Sequence, residues 1–161
     1  MDDTLKIDVK INSGDLYDYM LRHAYHGAQG LLGSCVGALA VIIFLGNHQW
    51  IYLIAGVVML AYLPWSLFLK SKQQAINTPA FRETLHYEFN EEGISVSQRE
   101  ATESIKWEDM YRAVSTGRSI IIYTTRVNAC IFPRREMKEQ EMDVIQFICT
   151  HMEPGKVRIR R

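Results

Sequence analysis

The sequence predicts an α+β membrane protein, a transmembrane α-helical hairpin followed by a β-barrel or sheet capped by a C-terminal helix. Three observations predict it. No Asp, Glu, Lys or Arg occurs among the 47 residues from 23 to 69, although the 161-residue chain carries 18 basic and 18 acidic side chains. Beyond residue 83, apolar residues recur at every second position in short runs separated by turn residues. After Pro133 the apolar period changes to three and four.

The uncharged stretch is longer than the interior of so small a protein can hide. It divides at Gly46-Asn47-His48-Gln49 into residues 28–45 and 50–69. Each half makes about 27–30 Å of helix, which matches the hydrocarbon core of a bilayer. Trp50 and Tyr52 at one end of the second half, and Tyr62 and Trp65 toward the other, suit rings at an interface. Pro64 removes one backbone donor and is expected to bend the exit. The connecting loop has no Lys or Arg, whereas Lys6, Lys10 and Arg22 precede the spans and Lys70, Lys72 and Arg82 follow them. The positive-inside rule then puts both termini in the cytoplasm. The apolar run begins too late, and is too long, for a secretory signal peptide. Within the first span, Gly33 and Gly37 form a GxxxG that lets helix backbones approach closely. Its partner is either the chain's own second span or another chain.

Ahead of the spans, residues 4–12 alternate polar and apolar without a break, the pattern of a half-buried strand. Ser13-Gly14-Asp15 offers a helix start, and residues 16–26 continue as an amphipathic helix running into the membrane, with Leu16, Tyr19, Met20 and His23 on one side. A lone strand is unstable, so this one is expected to pack on or extend the sheet at the other end of the chain. There, strands are expected at 84–89, 94–97, 103–107, 110–116, 119–125 and 129–132. Gly93 in the first turn is suited to positive φ, and Pro133 ends the last strand. Met142, Ile145, Ile148 and Met152 then give a helix one apolar stripe. Six short strands and a closing helix are the order of a pleckstrin-homology-like barrel, in which the helix plugs one open end.

Few residues carry chemistry. No P-loop, GxGxxG or HExxH occurs. Cys35, inside the first span, and Cys130 and Cys149, expected in the reducing cytosol, form no CxxC and read as structural thiols. Ser34 and Ser66 can bond their own helix backbones. Glu91-Glu92 reads as a solvated hairpin tip, and His86 as exposed. Trp107 shares a strand face with Ile105 and reads as core rather than as a stacking platform for a ligand. Arg134 and Arg135, at the strand-to-helix corner, are either a small anion or acidic-partner contact or surface charges answering Glu136, Glu139 and Glu141. The acidic first hairpin loop would repel a phosphate, and zero net charge excludes a protein held to nucleic acid by bulk charge. Nothing calls for a cofactor.

The run Tyr87-Glu88-Phe89-Asn90-Glu91-Glu92-Gly93-Ile94, then Ile105-Lys106-Trp107-Glu108-Asp109-Met110, Ile122-Tyr123 and Ile131-Phe132-Pro133-Arg134-Arg135, resembles the YcxB-like family. That resemblance implies a bacterial protein with two transmembrane helices and a cytosolic PH-like domain of unassigned function. It supplies no catalytic residues. The expected division is an N-terminal strand and juxtamembrane helix (1–26), the hairpin (27–69), a linker (70–83), the PH-like domain (84–153) and a basic tail (154–161) that can touch anionic lipid. The expected role is non-enzymatic: a protein of the cell inner membrane presenting its module for binding or scaffolding. Its partners are the lipid bilayer and another protein or a second copy. A membrane-bound sensor or regulator with a small-molecule ligand is the alternative, and an enzyme the third reading.

Overall fold

Alternation at the N-terminus produces the strand it predicts. In β1 (Leu5–Val9), Ile7 and Val9 are buried while Lys6 and Asp8 are exposed. The computed structural model describes residues 4–99 and 101–159, the side chains of Ala28, Gln29 and Ala80 excepted. The partner of β1 is β2 (Leu85–Phe89), paired antiparallel with Ile7 opposite Tyr87. Adjacent strands of one sheet are thus joined through the whole apolar hairpin, and the arm packs on the distant sheet as its unpartnered face requires.

The sheet continues through β3 (Gly93–Gln98) and β4 (Ala101–Lys106) in the order β1-β2-β3-β4. Asn90 shapes the first turn by accepting the Glu92 and Gly93 amides on its side-chain oxygen at 3.0 and 2.9 Å. Gly93 is not there for positive φ, which no glycine among the described residues adopts. It is there for space, since a Cβ would lie 2.0 Å from the Ile105 carbonyl oxygen.

A second sheet holds β5 (Arg112–Ser115), β6 (Ser119–Tyr123), β7 (Ala129–Pro133) and β8 (Val157–Arg158) in the order β7-β6-β5-β8. All pairs are antiparallel except β5 with β8. Of the expected barrel or sheet, the structure shows two open four-stranded sheets and no closed barrel among the described residues. Within the basic tail, Val157–Arg158 pairs as β8, and Arg160 and Arg161 lie outside the described residues. Between the sheets, Phe132 meets Tyr87 and Phe89 at ring distances of 4.7 and 5.4 Å. The helix α5 (Glu141–His151), reached through the short α4 (Arg134–Met137), closes this core with Val144, Ile145 and Ile148. Met142 stands outside the stripe and is exposed. Trp107 opens a 3-10 turn beyond β4 rather than ending the strand; it is buried, and its indole N–H donates to the Asn90 carbonyl at 2.8 Å.

The helices depart from expectation in three ways. The first, α1 (Ser13–His26), is capped by a reciprocal box between Asn12 and Asp15. It does not run on into the next helix. Gly27 breaks it with extended backbone, and α2 (Ala28–Asn47) turns back so tightly that a Cβ on Gly30 would lie 2.3 Å from the Ala24 carbonyl oxygen. The link to α3 (Trp50–Asn77) is only His48-Gln49, with His48 in the left-handed region. Finally, α3 runs through Pro64 to Asn77, so most of the expected 70–83 linker is helix. Both α2 and α3 are long and apolar enough to cross a membrane, and few of their residues are buried by the rest of the chain.

Candidate functional site

The three parts of the chain meet at α1. On one side, Tyr19 packs tilted against Tyr123 of β6 and His23 stacks on it, with ring distances of 5.9 and 6.3 Å. The Tyr19 hydroxyl donates to the Val127 carbonyl at 2.6 Å, and the Thr116 hydroxyl donates to Asp18 at 2.6 Å. This contact explains the unbroken Ile120-Ile121-Ile122 run. Ile120 and Ile122 face the core between the sheets, while Ile121 and Tyr123 face the α1 side, so both faces of β6 are covered. On its other side, α1 reaches the apolar hairpin, where Tyr17 meets Phe68 edge-on at 5.9 Å.

Arg134 and Arg135 serve this junction. Arg135 forks onto the fully buried Asp15 carboxylate at 2.5 and 2.7 Å and also donates to the Lys10 carbonyl at 3.0 Å. Its guanidinium lies 3.1 Å from Glu136. The Asp15 hydrogen bond is the main cause that raises the Arg135 pKa. Arg134 pairs with Glu141. Of the carboxylates named from sequence, Glu136 and Glu141 are partners, whereas Asp15 is 120 residues away from Arg135. Gly33 and Gly37 are separated in role. A Cβ on Gly37 would meet Leu60 at 2.8 Å and the Gly56 carbonyl at 3.3 Å, inside the hairpin, whereas Gly33 faces open space. Ser34 and Ser66 donate to the Gly30 and Leu63 carbonyls of their own helices.

Below α1 a groove of about 400 Å³ opens between the two sheets. Leu16 and Tyr19 of α1 and Gln74 near the end of α3 form one wall, and β2, β3, β4, β7, Ile11, Phe81 and the segment 124–128 that includes Thr124 and Asn128 form the rest. Most of the lining is apolar. Its polar groups include Tyr87, Cys130 and Glu103. Burial raises the Tyr87 hydroxyl well above its ordinary pKa, and its contacts with Cys130 add to this. Burial likewise pushes the Cys130 thiol up to about 11; the Tyr87 hydrogen bond opposes the rise and the Glu103 charge adds to it. A thiol held protonated is a poor nucleophile. Glu103 is exposed and makes no ion pair among the described residues. No cluster of three metal-ligating side chains occurs among the described residues.

Sequence reasoning did not single out Glu103, Gln74 or Tyr87 as site residues. For Glu103 a signal existed. In Ala101-Thr102-Glu103-Ser104-Ile105-Lys106 it shares parity with Ile105, so a charge stands on the inward face of a strand.

The model of the YcxB-like protein family matches residues 89–148. That match agrees with the resemblance carried by the sequence motifs. The match runs from the end of β2 into α5. No curated protein and no solved structure matches the chain.

Proposed function

We propose that this chain is a non-enzymatic integral membrane protein that holds a YcxB-like, PH-like module at the cytoplasmic face of a bacterial inner membrane for binding or scaffolding. The observation that carries the reading is the position of α1. It is fixed to the module through Asp15–Arg135 and Tyr19–Tyr123, and to the hairpin through Tyr17–Phe68. A module so held is posed at the foot of the hairpin rather than swung on a tether. Anchorage is supported by the apolar side chains that α2 and α3 leave uncovered, among them Leu31, Ile42, Ile51, Ile54 and Val58. A PH-like ancestry is supported by six strands leading into one closing helix, with the seam between β4 and β7 left open. The groove favours a second reading, a membrane-bound sensor or regulator with a small-molecule ligand.

Anchorage and topology are tested with single cysteines in a background where Cys35, Cys130 and Cys149 are alanine. A thiol reagent that cannot cross membranes should label Asn47→Cys in intact cells, and Thr4→Cys only after lysis. Labelling of Thr4→Cys but not Asn47→Cys in intact cells, or release of the protein by alkaline carbonate, would overturn the reading.

A further inference from the structure

The inward face of the first sheet is only half covered. Its pairings align Ile7, Tyr87, Val96 and Glu103 across the sheet. Exposure is 3% at Ile7 and 4% at Tyr87, but Val96 is half-buried and Glu103 exposed. The next row, Phe89, Ile94 and Ile105, also begins buried and ends half-buried. Phe132 of the second sheet packs on Tyr87 and Phe89 of β2 and α4 lies against β1, while β4 borders the groove. Its volume lies at the small end of the range for small-molecule sites.

The polar groups define what would fit. Tyr87 and Cys130 stay protonated, because burial raises both. Among the described residues Glu103 has no ion-pair partner, and no Lys or Arg lines the groove. A head that donates hydrogen bonds, with or without positive charge, complements this end, and an anionic head does not. The wall made by Gln74 indicates the source. Gln74 lies five residues beyond Leu69, about 7.5 Å along the helix, so in an anchored protein it stands at headgroup depth.

We propose that this groove binds a single-chain amphiphile drawn from the bilayer, its alkyl chain lying between β3–β4 and β7 and its amino or hydroxyl head at Glu103. The source of the ligand rests on the anchorage proposed above; the site itself does not.

The test uses the full chain in phosphatidylcholine nanodiscs with three photoactivatable probes of equal chain length: dodecylamine, dodecanol and dodecanoate, each carrying a diazirine on the chain. Cross-linked residues are mapped by mass spectrometry. The amine and the alcohol should label residues 96–105 and 127–131, and the carboxylate about tenfold less, the ratio expected from one charge-assisted contact. Ala129→Trp, which fills the groove, should remove that label while leaving label on residues 50–69. Glu103→Gln, at an exposed position, should weaken the amine alone, which keeps the test independent of whether the tryptophan variant folds. Label confined to the helices, or equal for all three probes, overturns the proposal and leaves the groove to an extended strand of a protein partner on the β4 edge. A chain inside the disc with an unlabelled groove refutes the site and not the anchorage. A chain labelled in the groove but outside the disc refutes the anchorage and the bilayer source, not the site.

Discussion

Replacing Asp15 with alanine should loosen the junction that α1 makes with the module. The carboxylate has no exposure and receives three hydrogen bonds, two from Arg135 and one from the Asn12 amide at 2.8 Å. Removing one partner of a buried ion pair costs about 3–5 kcal/mol. The Arg135 side chain is 43% exposed and so keeps part of its hydration, which moves the expected value toward the lower end. Loss of the capping box adds about 1 kcal/mol. We expect a total of about 4 kcal/mol, or a fall in Tm of about 8–16 °C for a chain of this size. The assay is thermal unfolding in detergent, followed by near-ultraviolet circular dichroism, on Asp15→Ala, Arg135→Ala and the double variant. The cycle isolates the pair itself, and its coupling should be about 1–2 kcal/mol with little dependence on salt. A coupling below about 0.5 kcal/mol would refute the argument that this pair fixes α1 to the sheet.

Two further outcomes follow from packing and titration. Gly56→Leu should separate the hairpin helices, because its Cβ would lie 2.9 Å from the Gly37 carbonyl and 3.1 Å from the Val41 amide nitrogen. The same unfolding assay should register about 1–3 kcal/mol, while Gly33→Leu, facing open space, should stay within about 0.5 kcal/mol; an equal loss at Gly33 would mean that its face is in use between chains. Cys130 sets a pH dependence. Its thiol is pushed up to about 11 from an ordinary 9.0, so both states are protonated below about pH 9 and only the unfolded chain ionises just above it. Stability should therefore fall as pH rises from about 9 through about 11, and Cys130→Ala should lose less across that window; parallel curves for the two proteins would contradict the assigned burial.

Local pattern made much of this fold legible, and tertiary pairing hid the rest. The alternation at residues 4–12 predicted β1, and its unpartnered apolar face demanded the distant sheet. The apolar spacing also gave α5, although Met142 was drawn into the stripe where Val144 belongs. Lys70 and Lys72 mark where an apolar segment ends, but charge does not end a helix, so the extension of α3 to Asn77 was missed. Barrel closure depends on whether two edges meet, and nothing within β4 or β7 alone encodes that meeting. The Asp15–Arg135 pair was hidden for the same reason. Glu103 was readable by parity, because an inward charge on a strand calls for a reason.

The pairing of β1 with β2 sets an order of events during synthesis. At about 5–20 residues per second, the roughly 80 residues between Val9 and Phe89 take about 4–16 s to make. For that interval the apolar face of β1 has no partner, and its backbone edge is open to any other strand. The apolar hairpin is completed within the same interval, before the sheet can close. The N-terminal arm must therefore be kept from wrong pairings until its neighbour arrives, and the sheet then closes over a hairpin that is already committed. A truncation that removes residues 85–89 would leave that wait without an end.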